Sequence, residues 1–158
     1  MASLVDTNVL VYCFDPRDPG KQGAARKLLE EGIRGRSLVL AHQALVEFVA
    51  AVTRPLKGWR GQPLLPMVEA CREAESLLAL LPVLYPTREV LVTAMRGCAS
   101  YGLPWFDAQM WAYAEVHGLP EILSEDFQHG RHYGGVRAVN PFLPKGNRLH
   151  ELPALYEA

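Results

Sequence analysis

Short apolar runs alternate with longer amphipathic segments along almost the whole chain. The apolar runs lie at residues 3–5, 37–41, 83–85, 121–124 and 136–139. They are too short for helices, whereas the segments between them place apolar residues at helical spacing. Strands that alternate with helices are typical of α/β proteins, in which helices cover both faces of a mainly parallel sheet. The pattern therefore predicts a three-layer α/β/α sandwich.

The helical segments are mostly bounded by recognisable signals. Thr87 is a predicted N-cap, and Pro55 ends the second long helix. The predicted helices are 20–34, 43–54, 67–81, 88–100 and 105–117. Residues 7–13 either continue the first strand or begin a further helix, and residues 57–66, rich in Gly and Pro, read as a loop.

The chain of 158 residues is expected to form one domain. We predict that this domain occupies residues 1–142 and that residues 143–158 form a tail that packs on it or extends from it. The proline-rich sequence from residue 140 onward is predicted to be mostly irregular.

Composition limits the cellular setting more than the activity. The net charge of −1 gives no overall attraction to nucleic acid or to a membrane. No apolar run approaches the roughly 20 residues that span a bilayer, and no signal peptide is predicted. Cys13, Cys71 and Cys98 show no metal-binding or paired spacing. These features predict a cytoplasmic protein without membrane association.

Four carboxylates lie in or beside apolar runs, where carboxylates are least expected. They are Asp6, Glu47, Asp107 and Asp126. An ionised carboxylate near a core is costly unless a positive group pairs with it, and none of the four runs contains Lys or Arg. The four acids therefore either cap separate helices or converge on a shared cation.

Each acid also has an ordinary structural explanation. Asp6 is suited to an Asx-turn or N-cap, and Glu47 to a solvent-facing helix position. Asp107 would complement the dipole of a helix's first turn, and Asp126 would cap a turn. However, Asp6 and Asp126 follow the first and fourth strands, and sites in parallel sheets lie at the carboxyl ends of strands. Glu125, beside Asp126, is predicted to face solvent.

Basic and aromatic residues give weaker signals. Arg54 and Arg131 are candidates for contacts with the phosphates of a polyanion, with a helix-dipole role and a solvated loop as the respective alternatives. Trp105 and Trp111 are predicted to lie in the core. Only Trp59, in a polar loop, is a candidate for a stacking contact with a ligand.

Five motifs in this order resemble the PIN-domain ribonucleases of the VapC-like toxin group. They are LVDTNVLVY at 4–12, QALVEF at 43–48, WFDA at 105–108, LSEDFQHG at 123–130 and NPF at 140–142. The first and fourth motifs together are fairly specific, and the resemblance covers nearly the whole chain. The chain departs from the family pattern in the bulky Trp105-Phe106 pair before the third acid and in the loop at 57–66.

The resemblance implies that the four acids form a metal site, supported through hydrogen bonds by Asn8 and Ser124. Carboxylates without His or Cys suit Mg²⁺ or Mn²⁺ rather than Zn²⁺. The expected activity is endonucleolytic hydrolysis of RNA, with Asp6, Asp107 and Asp126 holding metal and Glu47 sharing a metal or orienting water. The expected partners are a second copy of the chain and a small antitoxin that inserts into the acidic groove.

Three alternatives remain open on the sequence. A housekeeping PIN nuclease that processes RNA would share the same site residues. A phosphatase of the haloacid-dehalogenase type would need a second Asp where Asn8 stands and a well-placed Lys. A binding module without turnover would keep the fold and bind metal without cleaving RNA.

Overall fold

The computed structural model describes residues 1–144 and confirms the predicted α/β/α sandwich. The strands are β1 (Ser3–Val5), β2 (Leu38–Ala41), β3 (Val83–Leu84), β4 (Glu121–Leu123), β5 (His132–Tyr133) and β6 (Val136–Val139). The helices are α1 (Thr7–Tyr12), α2 (Pro19–Gly35), α3 (His42–Val52), α4 (Met67–Leu80), α5 (Arg88–Tyr101) and α6 (Trp105–Val116). A 3₁₀ turn at Lys57–Trp59 interrupts the predicted loop.

The sheet has the order β3-β2-β1-β4-β6-β5, and only β5 runs antiparallel to its neighbour. At the centre, Val5 is paired with Leu40 on one side and with Leu123 on the other. The chain moves outward from β1 to β3 and then crosses back to place β4 on the other side of β1. The strand order thus reverses between β1 and β4, and open α/β sheets bind ligands outside the carboxyl ends of strands at such a point.

The helices form two layers because the direction of the crossovers changes at this reversal. In one layer α1 contacts α2 and α3, and α3 contacts α4. In the other layer α5 packs on α6, which contacts β1, β4 and β6. The central strands lie between the layers, with Leu4, Leu40 and Ile122 fully buried. The buried strands explain the uninterrupted apolar runs that the sequence shows at these places.

A glycine allows α5 and α6 to approach closely. A Cβ added at Gly97 would lie 2.6 Å from Cζ3 of Trp111. Trp111 is buried as predicted, and its indole Nε1 donates a hydrogen bond of 2.8 Å to the carbonyl of Tyr133. Since α6 also carries Asp107, this contact fixes the helix that positions one of the four acids.

Several expectations are corrected or completed by the structure. Residues 7–12 form a helix rather than an extension of β1. The two-residue strand β5 was not predicted, because a strand this short shows no periodicity. Trp105 was predicted to be buried and is 40% exposed, because it begins α6 directly after Pro104 at the surface.

Thr87 caps α5 as predicted, since its hydroxyl accepts a hydrogen bond of 3.2 Å from the backbone N–H of Val90. The predicted tail at 143–158 lies almost wholly outside the described residues, so the division at residue 142 stays a prediction. Within residues 1–144, no helix combines the length and the apolar character needed to cross a membrane.

Candidate metal-binding site

Asp6 follows β1 and lies almost completely inside the protein, with 5% of its surface exposed. Its Oδ1 accepts a hydrogen bond of 2.7 Å from the backbone N–H of Thr7, so Asp6 is the N-cap of α1. Its Oδ2 points to the end of β4 and accepts a hydrogen bond of 2.6 Å from the hydroxyl of Ser124. The capping role and the convergence on a shared site are therefore both present in one carboxylate.

Ser124 connects the ends of β1 and β4. Its hydroxyl is fully buried, donates to Asp6 and accepts a hydrogen bond of 3.0 Å from the backbone N–H of Asp126. One hydroxyl thus holds the Asp6 carboxylate and the backbone that carries Asp126. This arrangement agrees with the supporting role that the sequence predicted for Ser124.

The Asn8 side chain lies between two carboxylates. Its Nδ2 donates to Oδ2 of Asp6 at 3.3 Å, to Oδ2 of Asp126 at 3.0 Å and to the Ser124 oxygen at 3.2 Å. Its Oδ1 is buried and has no hydrogen-bond partner within residues 1–144. The positive end of the amide dipole therefore occupies the space between two like charges, which reduces their repulsion.

Glu47 does not project freely into solvent, as the alternative for this residue required. Its Oε2 accepts a hydrogen bond of 2.8 Å from the Thr7 hydroxyl, and its Oε1 accepts one of 2.7 Å from Nε2 of Gln43. The same Nε2 donates to the carbonyl of Phe106 at 2.9 Å. Thr7 and Gln43 were not predicted as site residues. The spacing of Gln43, one helical turn before Glu47, is one that brings side chains together and could have indicated its contact.

Asp107 lies in the first turn of α6 and is only partly exposed. The pKa of its carboxyl is raised first by this burial and then by repulsion from Asp126 and Glu47. Asp107 thus faces the other acids across the carboxyl end of the sheet, rather than serving the helix dipole alone.

Electrostatic repulsion links the four acids at the carboxyl end of the sheet. Burial raises the pKa of Asp6 to about 7, against the hydrogen bonds from Ser124 and Thr7, which lower it. The charges of Asp126 and Asp107 are smaller contributions to this raised pKa. No ion pair formed within residues 1–144 includes any of the four acids. The cluster therefore carries negative charge that no Lys or Arg of the described chain neutralises.

The donor set suits a hard divalent cation, because all four acids offer carboxylate oxygens and none is a thiolate or an imidazole. Among residues 1–144, however, no three His, Cys, Asp or Glu side chains are grouped closely enough to hold one ion together. Mg²⁺ commonly binds one or two carboxylates and keeps several waters. The separation of the acids is compatible with a cation that is held by one or two carboxylates and several waters, and not with a cation that all four carboxylates bind directly.

Glu125 was predicted to face solvent, and this was wrong. Its carboxylate accepts a hydrogen bond of 2.6 Å from the hydroxyl of Tyr12 and forms an ion pair of 2.8 Å with Lys21. The Lys21 Nζ also lies 4.7 Å from the centroid of the Tyr12 ring and 5.7 Å from that of Phe142. Because consecutive side chains point in different directions, Glu125 faces α2 while Asp126 faces the acids.

Arg54 and Arg131 are both exposed, as a role in phosphate binding requires. Arg54 lies just beyond the end of α3, and the Arg131 guanidinium lies 4.5 Å from the centroid of the Tyr133 ring. Neither side chain contacts the four acids, so both stay candidates for contacts at the rim.

Replacing Ser124 by Ala should destabilise the protein at pH 8 by about 1–3 kcal/mol, because a buried carboxylate loses its shortest donor and the Asp126 N–H loses its acceptor. Chemical denaturation measures this effect. The matched control is Ser3→Ala, which removes a half-buried Ser–carboxylate bond of 2.9 Å to Glu121 at the other end of the sheet. NMR titration should show a higher pKa of Asp6 in Ser124→Ala only; equal behaviour of the two variants would contradict the assignment.

Comparisons with known proteins agree with this architecture. Three solved structures show the same fold at low sequence identity. VapC20 of Mycobacterium tuberculosis, described as a sarcin-ricin loop cleaving toxin, is 14% identical, with a TM-score of 0.58 over 77% of this chain and 87% of that chain. A toxin–antitoxin complex from Klebsiella pneumoniae is 17% identical, with a TM-score of 0.61 over 89% of this chain and 98% of that chain.

VapBC2 from Rickettsia felis, solved with a DNA fragment from its promoter, is 11% identical, with a TM-score of 0.62 over 87% of this chain and 97% of that chain. No curated protein sequence matches the chain significantly. The sequence pattern that defines the PIN domain family matches residues 3–134, a range that contains all four acids, Asn8 and Ser124. The chain therefore belongs to the PIN domain family.

Proposed function

We propose that the protein is a metal-dependent endoribonuclease, and that it acts as the toxin of a toxin–antitoxin pair. The observation that carries the proposal is the group of four mutually repelling carboxylates, without a paired cation in the described chain, at the reversal of strand order. Membership in the PIN family supports the nuclease class.

In this proposal Asp6, Asp107 and Asp126 hold Mg²⁺ or Mn²⁺, directly or through water, and Glu47 shares in the same site. A bound divalent cation would offset the charge of the phosphodiester, make water more acidic and stabilise the leaving oxygen. Cleavage of a phosphodiester needs such electrophilic help, because the substrate already carries negative charge.

The chain's own residues position the reacting groups. The Ser124 hydroxyl and the Asn8 amide hold the facing oxygens of Asp6 and Asp126. Each carboxylate oxygen of Glu47 accepts a hydrogen bond, one from Thr7 and one from Gln43, which fixes the direction of the carboxylate. We therefore assign Glu47 the task of orienting the attacking water. Arg54 and Arg131 would contact RNA phosphates at the rim, which supplies affinity without sequence information.

The toxin assignment rests on the structural relatives, two of which are toxin–antitoxin complexes. We propose a homodimer in the cytoplasm and a small antitoxin that inserts a segment into the acidic groove. A basic side chain of such a partner would neutralise the acids as a metal does. A short neighbouring reading frame for a DNA-binding protein would support this role over housekeeping RNA processing.

Cleavage of RNA should require a divalent metal. We expect a labelled, mixed-sequence single-stranded RNA to be cut in the presence of Mg²⁺ or Mn²⁺, because the acids repel phosphate without it. EDTA should stop the reaction, and excess Mg²⁺ should restore it, as followed on a denaturing gel. Equal cleavage with and without EDTA would defeat the proposal. The phosphatase alternative needs a carboxylic acid at position 8, and the amide of Asn8 cannot serve as a general acid there.

A further inference from the structure

Exposed aromatic rings are concentrated at the carboxyl end of the sheet, beside the acids. Four large aromatic residues are exposed among residues 1–144, and three of them lie at this end: Tyr85, Trp105 and Phe106. Phe106 is 65% exposed and immediately precedes Asp107. Tyr85 is 58% exposed and directly follows β3. Exposed apolar side chains that are not aromatic lie mostly on α4 and α5, and Val46 on α3 is the exception among the helices.

The two most exposed rings are tied to the acid cluster through the first turn of α3. Nε2 of Gln43 donates both to the Phe106 carbonyl at 2.9 Å and to the Glu47 carboxylate at 2.7 Å. His42, the preceding residue, faces Tyr85 with ring centroids 5.7 Å apart and an interplanar angle of 40°. The backbone of Phe106 and the ring of Tyr85 are thus held relative to Glu47, rather than placed on a loose loop.

We propose that Phe106 and Tyr85, named here the aromatic rim, stack on unpaired bases of the RNA that flank the cleaved phosphate. The inference deepens the proposed function and rests on it. Flat exposed rings suit bases because every base has a π face, so the contact tolerates any sequence but requires nucleotides outside a duplex. The two rings would therefore act as stacking platforms on either side of the cleaved phosphate. An apolar peptide would bind equally well to the exposed aliphatic side chains, most of which lie on α4 and α5, so it does not explain why the exposed rings lie beside the acids.

The first test replaces each ring by Leu, which keeps apolar bulk and removes the π face. The substrate is the single-stranded RNA cleaved in the metal-dependence assay, followed under single-turnover conditions. We expect the half-saturating enzyme concentration to rise about tenfold in Phe106→Leu and in Tyr85→Leu. The reason is that a stacked base strengthens the binding of the RNA, whereas it does not take part in the chemical step. The maximal rate should stay within about twofold, because the same contact is present before and during the reaction.

Removing the base from the RNA separates stacking from general damage to the protein. An abasic nucleotide placed at successive positions should weaken binding to the wild type about tenfold at the position that meets Phe106. In Phe106→Leu the same abasic RNA should show no further loss, as a double-mutant cycle requires for a direct contact. Met95→Ala, which trims a side chain 53% exposed on α5, should bind both RNAs like the wild type.

The outcomes separate this inference from the proposed function. If the wild type cleaves RNA and both Leu variants bind it equally well, the aromatic rim is overturned while the nuclease stands. Additive losses in the cycle also overturn it, because the ring and the base would then act independently. If the wild type cleaves no RNA with Mg²⁺ or Mn²⁺, the proposed function fails first, and the inference fails with it.

Discussion

Replacing Asp6 by Asn should stabilise the metal-free protein at pH 8 by about 1–3 kcal/mol. The same change should reduce RNA cleavage by more than ~10–100-fold, which is the loss typical of a residue that only supports a metal ligand. The two effects have one cause. Asp6 is buried among other acids, which is costly without a metal and useful with one. Asn keeps the shape and the acceptor for the Thr7 N–H, but it removes the charge that the metal would bind.

The pH dependence of stability gives the sign of this effect. The pKa of Asp6 is raised from 3.8 to about 7 on folding, so between these values the folded state binds a proton that the unfolded state has lost. The contribution of Asp6 to the free energy of unfolding therefore falls as the pH rises through this window and becomes level above about pH 7. A shift of this size corresponds to roughly 4 kcal/mol in total, of which the hydrogen bonds lost in Asn offset a part.

Urea denaturation between pH 4 and 8, in EDTA and then with Mg²⁺ or Mn²⁺, measures the prediction. The stabilisation by Asn should vanish toward low pH, and added metal should stabilise the wild type more than the variant. Glu69→Gln on α4 removes one exposed acid and should show neither effect. An Asp6→Asn protein that is less stable than the wild type at pH 8 in EDTA would contradict the assignment of Asp6 as a buried, repelled charge.

Replacing Gly97 by Ala should destabilise the protein by about 1–3 kcal/mol, although Ala is the better helix former. The new Cβ would lie 2.6 Å from Cζ3 of Trp111 and 2.8 Å from its Cε3. The indole has no free space to move into, because its N–H is bonded to Tyr133 and its ring packs against Tyr101 with centroids 5.5 Å apart. Thermal or chemical denaturation measures the loss.

Gly23 provides the matched control for Gly97. It also lies inside a helix, α2, but a Cβ added there would meet no atom within 4 Å. Gly23→Ala should therefore stabilise the protein by roughly 0.5–1 kcal/mol, which is the difference in helix propensity alone. Cleavage should fall in Gly97→Ala only, because Trp111 lies one turn beyond Asp107 and a displaced α6 would move that acid. Equal stability changes in the two variants would show that the α5–α6 contact yields easily.

The sequence predicted the architecture well because buried parallel strands leave a strong signal. β1, β2 and β4 are apolar almost throughout, and each is followed by a polar residue or a helix start. Asp6 and Asp126 were assigned to one edge of the sheet on this basis alone, whereas Ser124 was assigned through the family resemblance. Their contacts in the structure agree with that placement, since strand ends meet wherever the pairing brings them.

The missed features depend on contacts between distant segments. Nothing in the neighbourhood of Glu125 indicates that Lys21, on another helix, will pair with it. Gly97 looks like an ordinary helical glycine until Trp111 is placed against it. Trp105 was assigned to the core by residue type, whereas its exposure follows from its place at the start of a helix. The roles of Thr7 and Gln43 could be recognised only once the structure showed which way the Glu47 carboxylate points.

The pairing of Lys21 with Glu125 has a consequence for the order in which ligands arrive. Lys21 is a cation close to the end of β4, and its ammonium is held by Glu125 and by the Tyr12 hydroxyl, at 2.8 and 3.2 Å. It is therefore not available to shield the neighbouring acids. In the proposed nuclease, an RNA phosphate that approaches the four acids would be repelled by them, and a bound divalent cation would reverse this repulsion. If the protein acts as proposed, we expect metal to bind before RNA, so that the concentration of free divalent ions would control the activity.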